Sequence, residues 1–90
     1  MRVTRKQLVA AIRRLNEVTG QPQFPWLVGE NLGMVAQVGN YHLEEAYGGY
    51  SVCQMTNQSG GTRTIIPFCP ARECLQCLQV AIDCISREAA

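Results

Sequence analysis

Residues 41–66 decide the fold, and they read YHLEEAYGGYSVCQMTNQSGGTRTII. Two glycine pairs, Gly48-Gly49 and Gly60-Gly61, divide this stretch into three segments that contain most of its aromatic and β-branched residues. Glycine accepts the positive φ that tight hairpin turns require, and aromatic and β-branched residues favour strands. The stretch therefore predicts an antiparallel meander with a turn at each glycine pair. Its three strands are expected at 41–47, 50–56 and 62–66.

Helical patterns lie on both sides of this stretch. Thr4 and Gln7 have the spacing of a capping box, and the apolar residues that follow repeat at helical spacing until Gly20 ends the pattern. After the sheet, Pro70 fits the first position of a second helix that extends to about Arg87. The sequence therefore predicts one helix before the sheet and one after it.

The segment between the first helix and the sheet is apolar but cannot be a regular helix. Within residues 21–33, Pro22 and Pro25 remove hydrogen-bond donors and restrict the residues before them. We expect a loop that folds over the end of the core. The alternative is an exposed anchor for a partner, because tryptophan is enriched at binding hot spots and Trp26 lies in this segment. Residues 34–38 are a candidate fourth strand.

These elements define the expected architecture. Ninety residues allow one domain, here residues 1–90, with a small core. The fold class is α+β: an N-terminal helix, a three- to four-stranded antiparallel meander and a C-terminal helix, with both helices on one face of the sheet.

The C-terminal helix is more apolar than a single packing face requires. Its apolar positions cover well over half of the helix circumference. They are Cys74, Leu75, Cys77, Leu78, Val80, Ala81, Ile82, Cys84 and Ile85. Such a helix needs a second partner besides the sheet, which is either the first helix or another subunit. We therefore predict a homodimer formed through this helix.

Charge is unevenly distributed along the chain. The net charge is +1 and charged residues make up 17% of the sequence, below the roughly 25% of a typical soluble domain. Five of the eight basic residues precede residue 15, so a nucleic-acid-binding protein is one alternative function. The near-zero net charge, together with Glu44 and Glu45 in the sheet, makes nucleic acid the less favoured partner. The candidate phosphate contacts are Arg5, Lys6, Arg13 and Arg14.

The number of cysteines and the hydropathy of the sequence indicate where in the cell the protein is located. Five cysteines would leave one unpaired in a closed disulfide framework, which favours reduced thiols. Arg13 and Arg14 interrupt the only N-terminal apolar run that could serve a secretory signal. No apolar run approaches the ~20 residues that a membrane-spanning helix needs. We expect a cytoplasmic protein with no membrane partner.

Cys74 and Cys77 form a Cys-x-x-Cys pair, which makes a zinc or redox protein the second alternative. Structural zinc sites normally draw on two such pairs. A redox pair has its first thiol at a helix N-terminus, whereas Cys74 lies a full turn into the predicted helix beside Glu73. We expect the cysteines to pack as small apolar residues, and we predict no metal site and no cofactor.

The sequence favours a protein that is not an enzyme. His42 is the only histidine, and nothing in the spacing of the serines or cysteines indicates a relay with it. His42 and Glu44 would share one face of a strand, which allows a hydrogen bond but does not define an active site. Neither glycine pair leads into a helix with the Lys-Ser/Thr of a phosphate-binding loop.

Several short motifs are shared with a known class of protein. They are Thr4-Arg5-Lys6-Gln7-Leu8, Tyr41-His42-Leu43, Ala46-Tyr47-Gly48-Gly49-Tyr50, Gly60-Gly61 and Ala71-Arg72-Glu73. With these motifs the chain resembles short α+β proteins encoded by phages and prophages. The resemblance implies an accessory protein of a mobile element, a class whose members often bind a host protein, for instance to block a defence system.

The preferred prediction is a small non-enzymatic protein-binding module of this phage or prophage type. The sheet surface and the turn between residues 47 and 50 are the expected contact region. The predicted contact residues are Trp26, Tyr41, Glu44, Glu45, Tyr47 and Tyr50.

Overall fold

The computed structural model describes residues 2–29 and 33–89. It has the predicted α+β architecture, with an N-terminal helix, antiparallel sheets and a C-terminal helix. The elements in chain order are α1 (Arg5–Thr19), β1 (Trp26–Val28), β2 (Met34–Ala36), β3 (Tyr41–Ala46), β4 (Gly49–Met55), β5 (Thr62–Cys69) and α2 (Ala71–Ala89).

The predicted caps of α1 are present. The Thr4 side chain accepts a hydrogen bond from the Gln7 backbone N–H at 3.4 Å, and the Gln7 side chain accepts one from the Thr4 N–H at 2.7 Å. These reciprocal bonds pair two of the N–H groups that a helix start leaves without partners. At the other end, Gly20 adopts the left-handed conformation with φ 71°. The helix therefore begins and ends where the sequence predicts.

Strands β3, β4 and β5 form an antiparallel meander, as predicted. The first turn lies one residue earlier than the sequence suggests, at Tyr47 and Gly48, and Ala46 pairs with Gly49. Both turn residues have positive φ, 51° and 78°, as a two-residue hairpin turn of right-handed twist requires. The shift places His42 directly opposite Cys53.

The core lies between one face of this meander and both helices. Its buried residues come from all of these elements: Leu8, Ile12 and Leu15 of α1, Val52 and Ile66 of the sheet, and Cys74 and Leu78 of α2. Tyr41, Leu43 and Tyr50 pack against this cluster from the sheet. The helices therefore share one face of the sheet, as predicted, and they also contact each other, so that α1 is one of the two alternatives expected as the second partner of α2.

The segment before the meander differs from the expected loop. Residues 26–28 form β1, which pairs with β2 as a separate two-stranded sheet, so residues 34–36 do not extend the meander. Residues 30–32 of the predicted loop lie outside the described residues. Pro22 and Pro25 both precede β1, so neither removes a donor from the strand pair. We call β1 and β2 together the small hairpin.

The small hairpin is attached to the end of the meander that is farther from Tyr47. The Ala36 N–H donates to the Gln58 carbonyl at 3.2 Å, and the Gly39 N–H donates to the Met55 carbonyl at 2.9 Å. The ring of Trp26 lies over Gly60, where an added Cβ would come within 2.6 Å of Trp26 Cη2. Gly60 therefore makes the close approach of the tryptophan ring possible.

Replacing Gly60 by alanine is expected to lower the free energy of unfolding by about 1–3 kcal/mol. The φ of +99° is unfavourable for any residue with a side chain, and the new methyl group would displace the Trp26 ring. Because Trp26 is the only tryptophan, displacement should move the intrinsic fluorescence emission to longer wavelength.

Gly20→Ala is the matched control for this experiment. Gly20 also has a positive φ, +71°, but an added Cβ there has no atom within 4 Å. This variant should lose stability without changing the emission. Equal emission shifts in the two variants would contradict the packing of Trp26 on Gly60.

Candidate functional site

The predicted aromatic contact residues do not form one surface. Tyr41 and Tyr50 are partly buried and pack against the core between the sheet and the helices. Tyr47 is fully exposed on the turn at one end of the meander, whereas Trp26 lies in β1 at the other end. Of these side chains, Tyr47 and Trp26 are the ones accessible to a partner, and they are on separate surfaces.

The two predicted acidic contacts are also separated. Glu45 forms a salt bridge with Arg5 of α1, which places it towards the helices. Glu44 projects from the other face of β3, where its carboxylate accepts a hydrogen bond at 3.2 Å from His42 Nε2. Adjacent residues of a strand point to opposite faces, so the predicted pair cannot act as one acidic patch.

The small hairpin carries several exposed apolar side chains close together. Leu27, Val28 and Met34 are exposed at 59%, 58% and 58%, and Val35 is also exposed. In the register of the hairpin, Leu27 faces the same side as Val35, while Val28 faces the same side as Met34. Both faces of the hairpin therefore present apolar side chains. We call these four residues the hairpin surface.

Further apolar exposure continues beside the hairpin. Phe24 precedes β1 and is largely exposed, and Val38 follows β2 and is exposed on half of its surface. Trp26, exposed at 39%, connects this region to the turn between β4 and β5. Side chains of this kind in a cluster indicate an interaction surface more often than scattered ones do.

The basic residues of α1 are all exposed, but two of the four candidate phosphate contacts are paired with acids. Arg5 is bonded to Glu45, which raises the pKa of the guanidinium further above its usual value. Arg14 Nη1 lies 3.3 Å from Glu17 Oε2. Lys6 and Arg13 form no ion pair within residues 2–29 and 33–89, so they are the basic groups left for an acidic ligand.

The Cys74-x-x-Cys77 pair does not have the arrangement of a redox motif. All five cysteines are free. Cys74 is buried in the core and Cys77 is exposed, so the two thiols face different surroundings. Burial, followed by the nearby Cys69 thiol, raises the pKa of Cys74 to about 11, and burial also raises the pKa of Cys69. A reactive thiol requires a lowered pKa, so Cys74 acts as a core residue with Cys69 packed against the core, whereas Cys77 and Cys84 are exposed and do not pack as expected.

A further cluster lies on the face of the meander opposite the helices, which we call the back face. His42, Glu44 and Cys53 are grouped there, and each contributes one potential ligand atom within 4.8 Å of the others. Ser51 is next to them, with its Oγ 3.8 Å from Cys53 Sγ and donating a 2.8 Å hydrogen bond to the Ile66 carbonyl. Sequence reasoning paired His42 with Glu44 but did not add Cys53, which the strand register places directly opposite His42.

Comparison with protein families, with curated proteins and with solved structures finds no significant match to this chain. Within the described residues, neither helix combines the length and the apolar character needed to cross a bilayer. The surfaces described above are therefore the basis on which a function is proposed.

Proposed function

We propose that this chain is a small non-enzymatic protein-binding module that docks on a second protein through the hairpin surface. The observation that carries the proposal is the exposure of apolar side chains on both faces of the small hairpin, with Leu27, Val28 and Met34 each more than half exposed. Isolated two-stranded hairpins are marginally stable in water. A partner that covers this one would both bury apolar area and stabilise the hairpin.

The free energy gained by burying the hairpin surface is sufficient for specific binding. Full burial of a valine, leucine or methionine side chain contributes about 1.5–3 kcal/mol, and the hairpin surface offers four such residues for partial burial. Trp26 adds an aromatic anchor beside them. The matching partner surface is an apolar groove or an exposed sheet edge, which could also pair with the side of β1 that faces away from β2.

The resemblance to phage and prophage proteins supports a bacterial host as the source of the partner. In this proposal the protein is a cytoplasmic accessory factor, and a host defence protein is the class of target.

Nucleic-acid binding is a weaker proposal, because two of the four candidate phosphate contacts on α1 are paired with acids. A homodimer through α2 stays a prediction, and its support is weaker because α1 already packs against α2.

The test is a pull-down of the tagged protein from bacterial lysate, with half of each sample treated with nuclease and both halves analysed by mass spectrometry. We expect one discrete protein partner that remains after nuclease treatment. The double variant Lys6→Glu, Arg13→Glu reverses the two candidate phosphate contacts of α1 that form no ion pair in the described chain, and it should capture the same partner. Loss of every partner on nuclease treatment or in this variant would contradict the proposal and favour nucleic acid.

A further inference from the structure

The back face brings together three side chains of a kind that holds metal ions. His42 and Cys53 are direct cross-strand partners on β3 and β4, and Glu44 is two residues from His42 on the same face. The His42 side chain is mostly buried, Cys53 is buried, and Glu44 is half exposed. The cluster is therefore fixed by backbone pairing at its base and open to solvent at the carboxylate.

The distances are close to those of a coordination sphere. A tetrahedral Zn²⁺ ion, with bonds of about 2.0–2.3 Å, holds its ligand atoms about 3.3–3.7 Å apart. His42 Nε2 and Glu44 Oε1 are already 3.2 Å apart. All three ligand atoms lie within 4.8 Å of one another, so movements of at most about 1 Å would complete the sphere.

The histidine supplies a second and independent observation. His42 Nδ1 is buried and has no hydrogen-bond partner among the described residues. A buried ring nitrogen without a partner is unfavourable and calls for an explanation such as an ion.

From this geometry we propose that His42, Glu44 and Cys53 bind a divalent transition-metal ion of the Zn²⁺ class. A thiolate, an imidazole and a carboxylate are the ligand types that Zn²⁺ takes in proteins. The thiolate and the carboxylate together compensate the 2+ charge, so the occupied site is neutral. Binding forms the S–metal bond and releases the Cys53 proton to the solvent. Water fills the fourth position on the exposed side of the site.

This site is separate from the hairpin surface and does not depend on the proposed protein partner. The ion would join β3 to β4 across a pair that is already hydrogen-bonded in the sheet. An ion that binds the folded chain and not the unfolded one stabilises the fold by mass action. The expected consequence is a melting temperature that rises with Zn²⁺ concentration.

The test uses Co²⁺ as the probe, because thiolate-bound Co²⁺ has a charge-transfer band in the near ultraviolet. The full chain is freed of metal with a chelator, kept reduced with a phosphine and titrated with Co²⁺. We expect a band that saturates at one Co²⁺ per chain and disappears when Zn²⁺ is added. Absence of the band in the wild-type protein would overturn the proposal.

Variants then locate the site. Cys53→Ser should remove the band, whereas Cys77→Ser, which removes an exposed thiol of α2, should leave it unchanged. His42→Gln and Glu44→Gln keep the thiol but should weaken Co²⁺ binding at least tenfold, since loss of even an outer-sphere partner costs about 10–100-fold. Circular dichroism checks the fold of each variant. A band that persists in Cys53→Ser, or that disappears in Cys77→Ser, would overturn the proposal. If Cys53→Ser does not fold, the two glutamine variants decide: a Co²⁺ affinity equal to that of the wild type in both of them would overturn it.

Discussion

Replacing Leu78 by alanine is expected to lower the free energy of unfolding by about 2–5 kcal/mol. Leu78 has 0% exposure in the middle of α2, within the core cluster formed by both helices and the sheet. Alanine would leave a cavity that the surrounding side chains fill only in part. A domain of this length has a total stability of about 5–13 kcal/mol, so this one change could remove a large part of it. Urea unfolding followed by circular dichroism measures the loss.

Val80→Ala is the control for the core prediction. Val80 is two residues away on the same helix but is exposed at 63%, so its truncation should change stability by less than about 0.5 kcal/mol. Equal losses in the two variants would mean that α2 does not bury the Leu78 face against α1 and the sheet.

Replacing Asn16 by alanine is expected to cost about 2–4 kcal/mol. Asn16 is 1% exposed. Its Oδ1 accepts a 2.9 Å hydrogen bond from the Tyr41 N–H, and its Nδ2 donates a 3.0 Å bond to the Tyr41 carbonyl. This one side chain therefore pairs both backbone groups of the first residue of β3 and holds α1 against the sheet. Alanine would leave both groups buried without a partner.

Gln23→Ala is the matched control for Asn16. It also removes an amide that bonds to backbone, here the Arg13 carbonyl at 2.9 Å, but from an exposed position. Solvent can replace that bond, so the expected loss is below about 1 kcal/mol. If Gln23→Ala were as costly as Asn16→Ala in urea unfolding, the role assigned to Asn16 would be incorrect.

The parts of the fold that the sequence predicted are those set by local chemistry. Thr4, Gln7 and Gly20 determine the limits of α1 through bonds and a backbone conformation within a few residues. The alternation of strands and glycine-rich turns likewise determines the meander. Amphipathic periodicity then identifies the faces of α1 and α2 that meet the sheet.

The parts that sequence reasoning missed depend on contacts between distant residues. Tyr47 takes a positive φ of 51°, which a rule based on glycine pairs does not anticipate, so the predicted turn was one residue late. Strand β1 has only three residues and is supported by its pairing with β2 and by the Trp26 contact with Gly60. Neither support can be seen in the local sequence.

The candidate sites also combine features that the local sequence indicates with features that depend on contacts between distant residues. The sequence identified Trp26 as belonging to an apolar segment that either covers the core or binds a partner, and its ring packs on Gly60 while staying partly exposed. The cluster on the back face was overlooked, although a turn at Gly48-Gly49 already places Cys53 opposite Glu44 and on the face of His42; the observed turn makes His42 the direct partner of Cys53. A shift of one residue in this turn changes the direct cross-strand partners by two positions and leaves every side chain on its predicted face.

The most direct test of the central claim compares partner capture by two variants of matched exposure. Leu27→Lys puts a charge on the hairpin surface at a residue exposed at 59%, and Val80→Lys does the same on α2 at 63%. With equal amounts of folded protein, we predict that Leu27→Lys reduces capture of the nuclease-resistant partner at least tenfold, since a loss of 1.4 kcal/mol corresponds to about that factor. Val80→Lys should capture as much as the wild type. Full capture by Leu27→Lys, with loss in Val80→Lys, would contradict the hairpin surface as the docking site.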